Sequence, residues 1–281
     1  MDALYNAAKP RVVAIGGPTA TGKTALSVAL AKRFGGEIIS ADSMQIYQGL
    51  DVGTAKVTPE EMQGVPHHLV GFLAPEQAFS VADFTTLAGK TITQLTAQGK
   101  LPLVVGGTGL YITSLLNGIG FTPEKVDPAI RQELQARLQA EGSQALYAEL
   151  AAVDPGYAAK VHPNNTPRVI RALELYRATG RKMSAEREAA RPAEKPYRSL
   201  CLCLTCRDRT LLYQRIDTRC DRMMQSGILE EAKLVYDHRD TYRTAAQAIG
   251  YKEFFPYFEG TAPLDACTEK LKQASRNYAK R

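Results

Sequence analysis

The sequence predicts an α/β protein with a P-loop-type parallel sheet core, helices on both faces of that sheet, and an all-helical insertion domain. Three observations lead there. Short apolar runs alternate with helically spaced segments over the first 121 residues; a loop of the form G-x-x-x-x-G-K-[ST] joins the first such run to the first helix; and residues 122–197 show helical periodicity with no strand pattern. The core is therefore expected over 1–121 and 198–281 of the 281 residues, with the insertion over 122–197.

In chain order, residues 12–15 read as a buried strand, and residues 24–34 place Leu26, Leu30 and Phe34 at helical spacing before Gly35-Gly36 stops the helix. Residues 37–41 and 101–105 are the next strands, each followed by polar or glycine residues and a helical pattern. Such units form parallel sheets, whose ligands bind at the carboxyl ends of the strands. Asp127-Pro128 opens a helix running through Arg137 and Leu138, and further helical patterns cover 143–153 and 167–179. Residues 184–197, charged and holding two prolines, read as a mobile connection. Strand character returns at 199–205, helices at 210–226 and 228–237, and a turn-rich region at 247–252.

Charge is local. Residues 1–159 carry 11 basic and 14 acidic side chains, 160–222 carry 15 and 7, and 223–281 carry 9 and 8, so the net +6 arises in the middle segment. A basic segment suits a phosphate-rich partner; a solvated helix face has the same composition. Five cysteines with no secretory leader argue for a reducing cytoplasm rather than a disulfide framework. Cys201-x-Cys203-x-x-Cys206 puts two thiols on one strand face and the third on the other, which favours a buried strand over a metal site. The 21 uncharged residues from 101 to 121 are long enough to span a membrane, but their five glycines and their polar residues read better as strand, turn and helix. No membrane association is expected.

The loop Gly17-Pro18-Thr19-Ala20-Thr21-Gly22-Lys23-Thr24 is a phosphate cradle: glycines let backbone amides approach an anion, Lys23 adds a point charge, and Thr24 can hold Mg²⁺. It identifies a polyphosphate, not a reaction. No N-K-x-D base-reading motif is present, and strand 101–105 ends in Gly106-Gly107 where a magnesium-holding aspartate would be expected, so a nucleotide hydrolase is disfavoured while a small-molecule kinase remains open. Asp42 follows the second strand directly and should share an edge with the loop, as a proton acceptor, as a metal contact through water, or as a cap for the next helix. Thr108 brings a hydroxyl to the same cleft.

Seven ordered blocks now stand together. The phosphate loop, Asp42-Ser43-Met44-Gln45-Ile46-Tyr47, Asp51-Val52-Gly53-Thr54-Ala55-Lys56, Val65-Pro66-His67-His68-Leu69, Gly106-Gly107-Thr108-Gly109-Leu110-Tyr111, Arg168-Val169-Ile170-Arg171-Ala172-Leu173-Glu174 and Gln247-Ala248-Ile249-Gly250-Tyr251-Lys252 resemble the tRNA dimethylallyltransferase (tRNA isopentenyltransferase) family along nearly the whole chain. One departure is that the family usually continues past Ala279-Lys280-Arg281 into a Gln-x-Thr-Trp-like stretch, whereas this sequence contains no tryptophan.

The resemblance implies transfer of a dimethylallyl group from dimethylallyl diphosphate to N6 of the adenosine 3′-adjacent to the anticodon in tRNA, releasing diphosphate, with Mg²⁺ as cofactor. It makes Gly17 to Thr24 the diphosphate cradle, with Thr24 the metal contact. Asp42 becomes the general base, and Lys23, Thr24, Thr108 and Arg219 complete the catalytic set. Helical spacing puts Arg215 and Arg219 on one face, so either can serve as the leaving-group cation. For tRNA it implies Asp42, Ser43, Met44, Gln45 and Thr108 at the extruded base. Arg131, Pro167, Arg168, Val169, Ile170, Arg171, Gln247, Ala248, Ile249, Gly250, Tyr251 and Lys252 would lie along the anticodon stem-loop. His67 and His68 are adjacent, a poor spacing for a metal pair, and are left between structural and tRNA-edge roles. A cytoplasmic monomer is expected. A P-loop kinase and a non-catalytic RNA adaptor are the competing readings.

Overall fold

The computed structural model describes residues 9–121, 127–192 and 194–280. They divide into two compact units, 1–116 with 195–281, and 117–194. The second unit begins at 117 rather than 122, in keeping with the Gly120 amide donating to the Ala190 carbonyl at 2.9 Å inside that unit.

The first unit opens with β1 (Arg11–Gly16), α1 (Lys23–Phe34), β2 (Gly36–Ser40), α2 (Pro59–Met62), β3 (His67–His68), α3 (Val81–Ala97), β4 (Leu101–Val105) and α4 (Gly109–Leu116). The second comprises α5 (Pro128–Glu141), α6 (Ser143–Val153), α7 (Pro155–Ala158), α8 (Thr166–Thr179) and α9 (Met183–Ala189). The chain then returns through β5 (Arg198–Cys203), α10 (Arg209–Gln225), α11 (Ile228–Asp237), α12 (Phe255–Phe258) and α13 (Leu264–Ala279).

Five parallel strands form one sheet in the order β3-β2-β4-β1-β5. Alternation along each strand supplies two apolar faces. Ile15, Ile38 and Leu103 pack with Val28 and Ala31 of α1, while Val12, Ala14, Ile39 and Val104 pack with Phe84, Ala88 and Ile92 of α3 and Tyr111 and Leu115 of α4. A further core joins α10, α11 and α13 to Ile46, Tyr47 and Leu50, the residues that follow β2. The uncharged stretch after residue 100 is β4, a glycine turn and α4, and among the described residues no helix is long and apolar enough to cross a membrane.

Two expectations need correction. β5 forms where a strand was expected, but it is an edge strand bonded to β1 alone, so Cys201 and Cys203 are exposed and Leu200 is 58% exposed; the apolar run does not mark a buried strand here. The supposed mobile connection begins as α9, because the buried Asp154 carboxylate accepts the Ser184 amide at 2.8 Å and the Tyr157 amide at 3.1 Å, anchoring the start of that helix.

Three strand ends converge through one close approach. The Gly106 amide donates to the Ile15 carbonyl at 3.1 Å, the Ala41 amide to Val105 at 2.8 Å and the Thr108 amide to Ala41 at 3.2 Å. A Cβ on Gly106 would lie 2.1 Å from the Ala41 oxygen. Gly106→Ala should therefore destabilise the fold by about 1–3 kcal/mol, the usual cost of overpacking. Chemical denaturation measures this, and wild-type stability would remove the constraint.

Candidate active site

The loop after β1 is shaped by its glycines. Gly17 has φ +141°, and a Cβ there would meet the Leu204 carbonyl oxygen at 2.4 Å; Gly22, at φ +87°, turns the chain into α1. Within the loop, the Thr21 hydroxyl and the Lys23 ammonium both donate to the Pro18 carbonyl, at 2.8 and 2.7 Å. The N-terminus of α1 has neither a side-chain cap nor an acidic residue in its first turn, so its free amides are available to an anion. The Thr24 hydroxyl has no hydrogen-bond partner among the described residues.

Beside this loop, Asp42 follows β2. Its Oδ1 accepts the amides of Met44 at 2.9 Å and Gln45 at 3.3 Å. The capping reading of Asp42 is thus observed at one oxygen, and Oδ2 has no hydrogen-bond partner among the described residues. Thr108 is placed by the Gly106 approach, and its Oγ1 accepts the Ser43 amide at 3.1 Å. The Gln45 side chain donates to the carbonyls of Ala55 at 3.0 Å and Thr54 at 3.4 Å.

Charge draws these groups into one site. Burial, then repulsion from Arg219, pushes Lys23 down to about 8, with Asp42 opposing the shift. Arg219 is likewise lowered by burial and held up by Asp42. Its guanidinium has no ion-pair partner among the described residues, an expensive state for a shielded cation unless an anion arrives. Arg215, one turn earlier on α10, is exposed, whereas Arg219 is partly buried beside Lys23 and Asp42. Tyr111, buried against Phe84, is pushed up to about 12, first by burial and then by Tyr47 and Asp42.

Sequence reasoning missed Glu231. Its Oε2 accepts the amides of Asp51 at 2.7 Å and Val52 at 3.0 Å, and its Oε1 accepts the Gly53 amide at 2.8 Å and the Tyr251 hydroxyl at 2.6 Å. A glutamate on an amphipathic helix carries no sequence signal for this. The 247–252 block is partly drawn into the core. Tyr251 is fully buried and Ala248 and Gly250 are buried, leaving Gln247 and Lys252 as its exposed members and Ile249 between. His68 bonds Glu37 at 2.6 Å, and Lys100 bonds the same carboxylate; His67 meets the Val65 carbonyl at 2.8 Å, so both histidines serve the sheet.

In the helical unit, Arg131 holds the buried Glu174 through two bonds of 2.9 and 2.8 Å, and Arg171 adds a third at 2.9 Å. Burial alone would raise Glu174, but the bonds from Arg131 and Arg171 hold it below the ordinary glutamate value. Arg131, Arg171, Pro167 and Ile170 line one groove with Gln135 and Thr166. Val169 and Ile170 are buried in the core of this unit, so their side chains offer little contact surface, while Arg168 is exposed with no ion pair among the described residues. Arg177 spends its charge on Glu149 and Glu133, so part of the basic excess is neutralised locally.

The description "IPP transferase" matches residues 45–281, and "Isopentenyl transferase" matches residues 10–70. The tRNA dimethylallyltransferase of Bacillus subtilis (strain 168) is 50% identical over 276 residues, which are 98% of this chain and 87% of that relative. The protein of the same name from Geobacillus thermodenitrificans (strain NG80-2) is 49% identical over 271 residues, 96% and 85% of the two chains. The crystal structure of full-length tRNA isopentenylpyrophosphate transferase from Bacillus halodurans superposes with a TM-score of 0.69 at 45% identity, covering 97% of this chain and 85% of its own. A eukaryotic dimethylallyltransferase acting on tRNA gives a TM-score of 0.79 at 32% identity, covering 97% and 68%. This chain belongs to the IPP transferase family.

Proposed function

We infer that this enzyme is a tRNA prenyltransferase, moving a dimethylallyl group from dimethylallyl diphosphate onto the N6 amine of a tRNA adenosine and releasing diphosphate. One observation carries the assignment of roles: two shielded cations, Lys23 and Arg219, flank an acid-free helix N-terminus beside a carboxylate with one open oxygen. As the allylic C–O bond breaks, charge grows on the diphosphate, where Lys23, Arg219 and the α1 amides face it. The carbon forms its new bond to N6, and the N6 proton passes to Asp42 Oδ2. Mg²⁺, if bound, would be held by the Thr24 hydroxyl and would add positive charge at the leaving group. The acceptor is the adenosine 3′-adjacent to the anticodon, extruded onto Ser43, Met44 and Gln45, with Arg168 and the Arg131–Arg171 groove along the stem-loop. A cytoplasmic monomer is compatible with this reading.

Three outcomes test these roles. Asp42→Asn should lower kcat by about 10²–10⁴ while diphosphate binding persists; near-normal turnover would remove Asp42 as the base. Lys23 loses its charge above pH about 8 in the free protein and regains it on binding an anion, so diphosphate affinity should fall as pH rises past 8, by up to roughly tenfold per unit, relative to a Lys23→Arg variant that stays charged. Parallel pH curves for the two would contradict this. Arg168→Ala should weaken tRNA binding and flatten its salt dependence by about one phosphate contact without lowering the melting temperature, and an unchanged salt slope would exclude that contact.

A further inference from the structure

The reaction described above uses Asp42 and the residues just after it, yet nothing in that short turn is anchored in the sheet beyond Ala41 and the Thr108 bond to Ser43. Its far side is held by two segments: the Gly71 amide donates to the Gln45 carbonyl at 2.8 Å and the Phe72 amide to the Ile46 carbonyl at 2.9 Å, fixing the backbone, while the Gln45 side chain is held by the 51–56 loop. The Lys56 amide donates to the Asp51 carbonyl and the Ala55 amide to Val52, both at 2.9 Å, closing a turn that presents the Thr54 and Ala55 carbonyls to the Gln45 amide group. Three consecutive amides on the other side of that loop, Asp51 to Gly53, converge on the Glu231 carboxylate, and the Tyr251 hydroxyl completes its shell. The fit is tight as well as polar: a Cβ on Gly53 would lie 2.4 Å from the Tyr251 ring, and one on Gly250 would lie 3.0 Å from the Gly53 carbonyl.

We propose that Glu231 is a positioning residue for the acceptor side of prenyl transfer, acting through the 51–56 loop on Gln45 and thereby on the turn that Asp42 caps. A carboxylate is the group for this task because its two oxygens take four donors at once, whereas an amide offers one oxygen and would set its own NH₂ against backbone N–H groups. Gln45 gains a fixed orientation from its two carbonyl partners, and its Oε1, without a partner among the described residues, is left facing a ligand that donates a hydrogen bond. An extruded adenine, with its exocyclic amine, is such a ligand. The phosphate loop shares none of these bonds, so the influence of Glu231 should fall on the nucleic-acid acceptor and not on the diphosphate. This inference rests on the tRNA prenyltransferase reading.

A double-mutant cycle tests it, with wild type, Glu231→Gln, Gln45→Ala and the double variant assayed for prenylation of unmodified tRNA, for diphosphate affinity by calorimetry and for thermal melting. Glu231→Gln should lower kcat/KM for tRNA about tenfold or more, since displacement of a positioned group by even an ångström is costly, while diphosphate affinity stays within about twofold. In the Gln45→Ala background the same substitution should cost clearly less than in wild type, because the Gln45 link is gone, leaving the Lys56 bond to the Tyr47 carbonyl to tie the loop to that turn. Equal losses in both backgrounds, or equal damage to tRNA turnover and diphosphate binding, would overturn the proposal. If Glu231→Gln does not fold, Glu231→Asp, which keeps the charge but shortens the reach, takes its place in the same cycle with the same two criteria. A wild-type enzyme that failed to prenylate tRNA would instead refute the functional reading, so the two failures are distinct.

Discussion

The backbone of Gly106 lies so close to the Ala41 carbonyl that no side chain fits between them, and the catalytic edge of the sheet depends on that approach. It brings the turn after β4 across the end of β2, where Thr108 bonds Ser43 and the turn beginning at Asp42 is set beside the loop after β1. Parallel strands alone would only gather these ends at one edge. Gly106 sets the turn after β4 against the end of β2, and there Asp42, Lys23 and Arg219, the last from α10, share one electrostatic environment.

That environment is unbalanced in the protein alone. Lys23 and Arg219 repel each other and are poorly solvated, with Asp42 the principal opposing charge. An arriving diphosphate would relieve both penalties. In the proposed reaction the same cations would act on the leaving group as its charge grows, which is the condition for stabilising a transition state beyond the bound substrate. Asp42 Oδ1 fixes the turn, and Oδ2 has no hydrogen-bond partner among the described residues. Cap and base need not exclude each other, because a carboxylate has two acceptors.

How much of this was legible follows from range. The phosphate loop and Asp42 are written in contiguous residues whose spacing implies their geometry, and the alternation of strands and helices carries the core. Arg219 could not be separated from Arg215 because periodicity gives a direction around a helix but not a depth below the surface. β5 reads as buried from its apolar run, yet its position at the sheet edge is a property of pairing that no local pattern encodes. Glu231 and Tyr251 meet the 51–53 amides from far along the chain, so their role is invisible until the fold is known. Glu174 shows the same limit in the helical unit, where Arg131 and Arg171 come from different helices to one buried carboxylate.

The central claim is that this site transfers a prenyl group to tRNA and not a phosphoryl group from a nucleotide. Incubating the protein with dimethylallyl diphosphate, Mg²⁺ and unmodified tRNA, then digesting the tRNA and weighing its nucleosides, tests it directly. The account predicts an adenosine heavier by one C5H8 unit, formed together with free diphosphate. Unmodified adenosine, with ATP instead losing its γ-phosphate to an acceptor at the same loop, would contradict it.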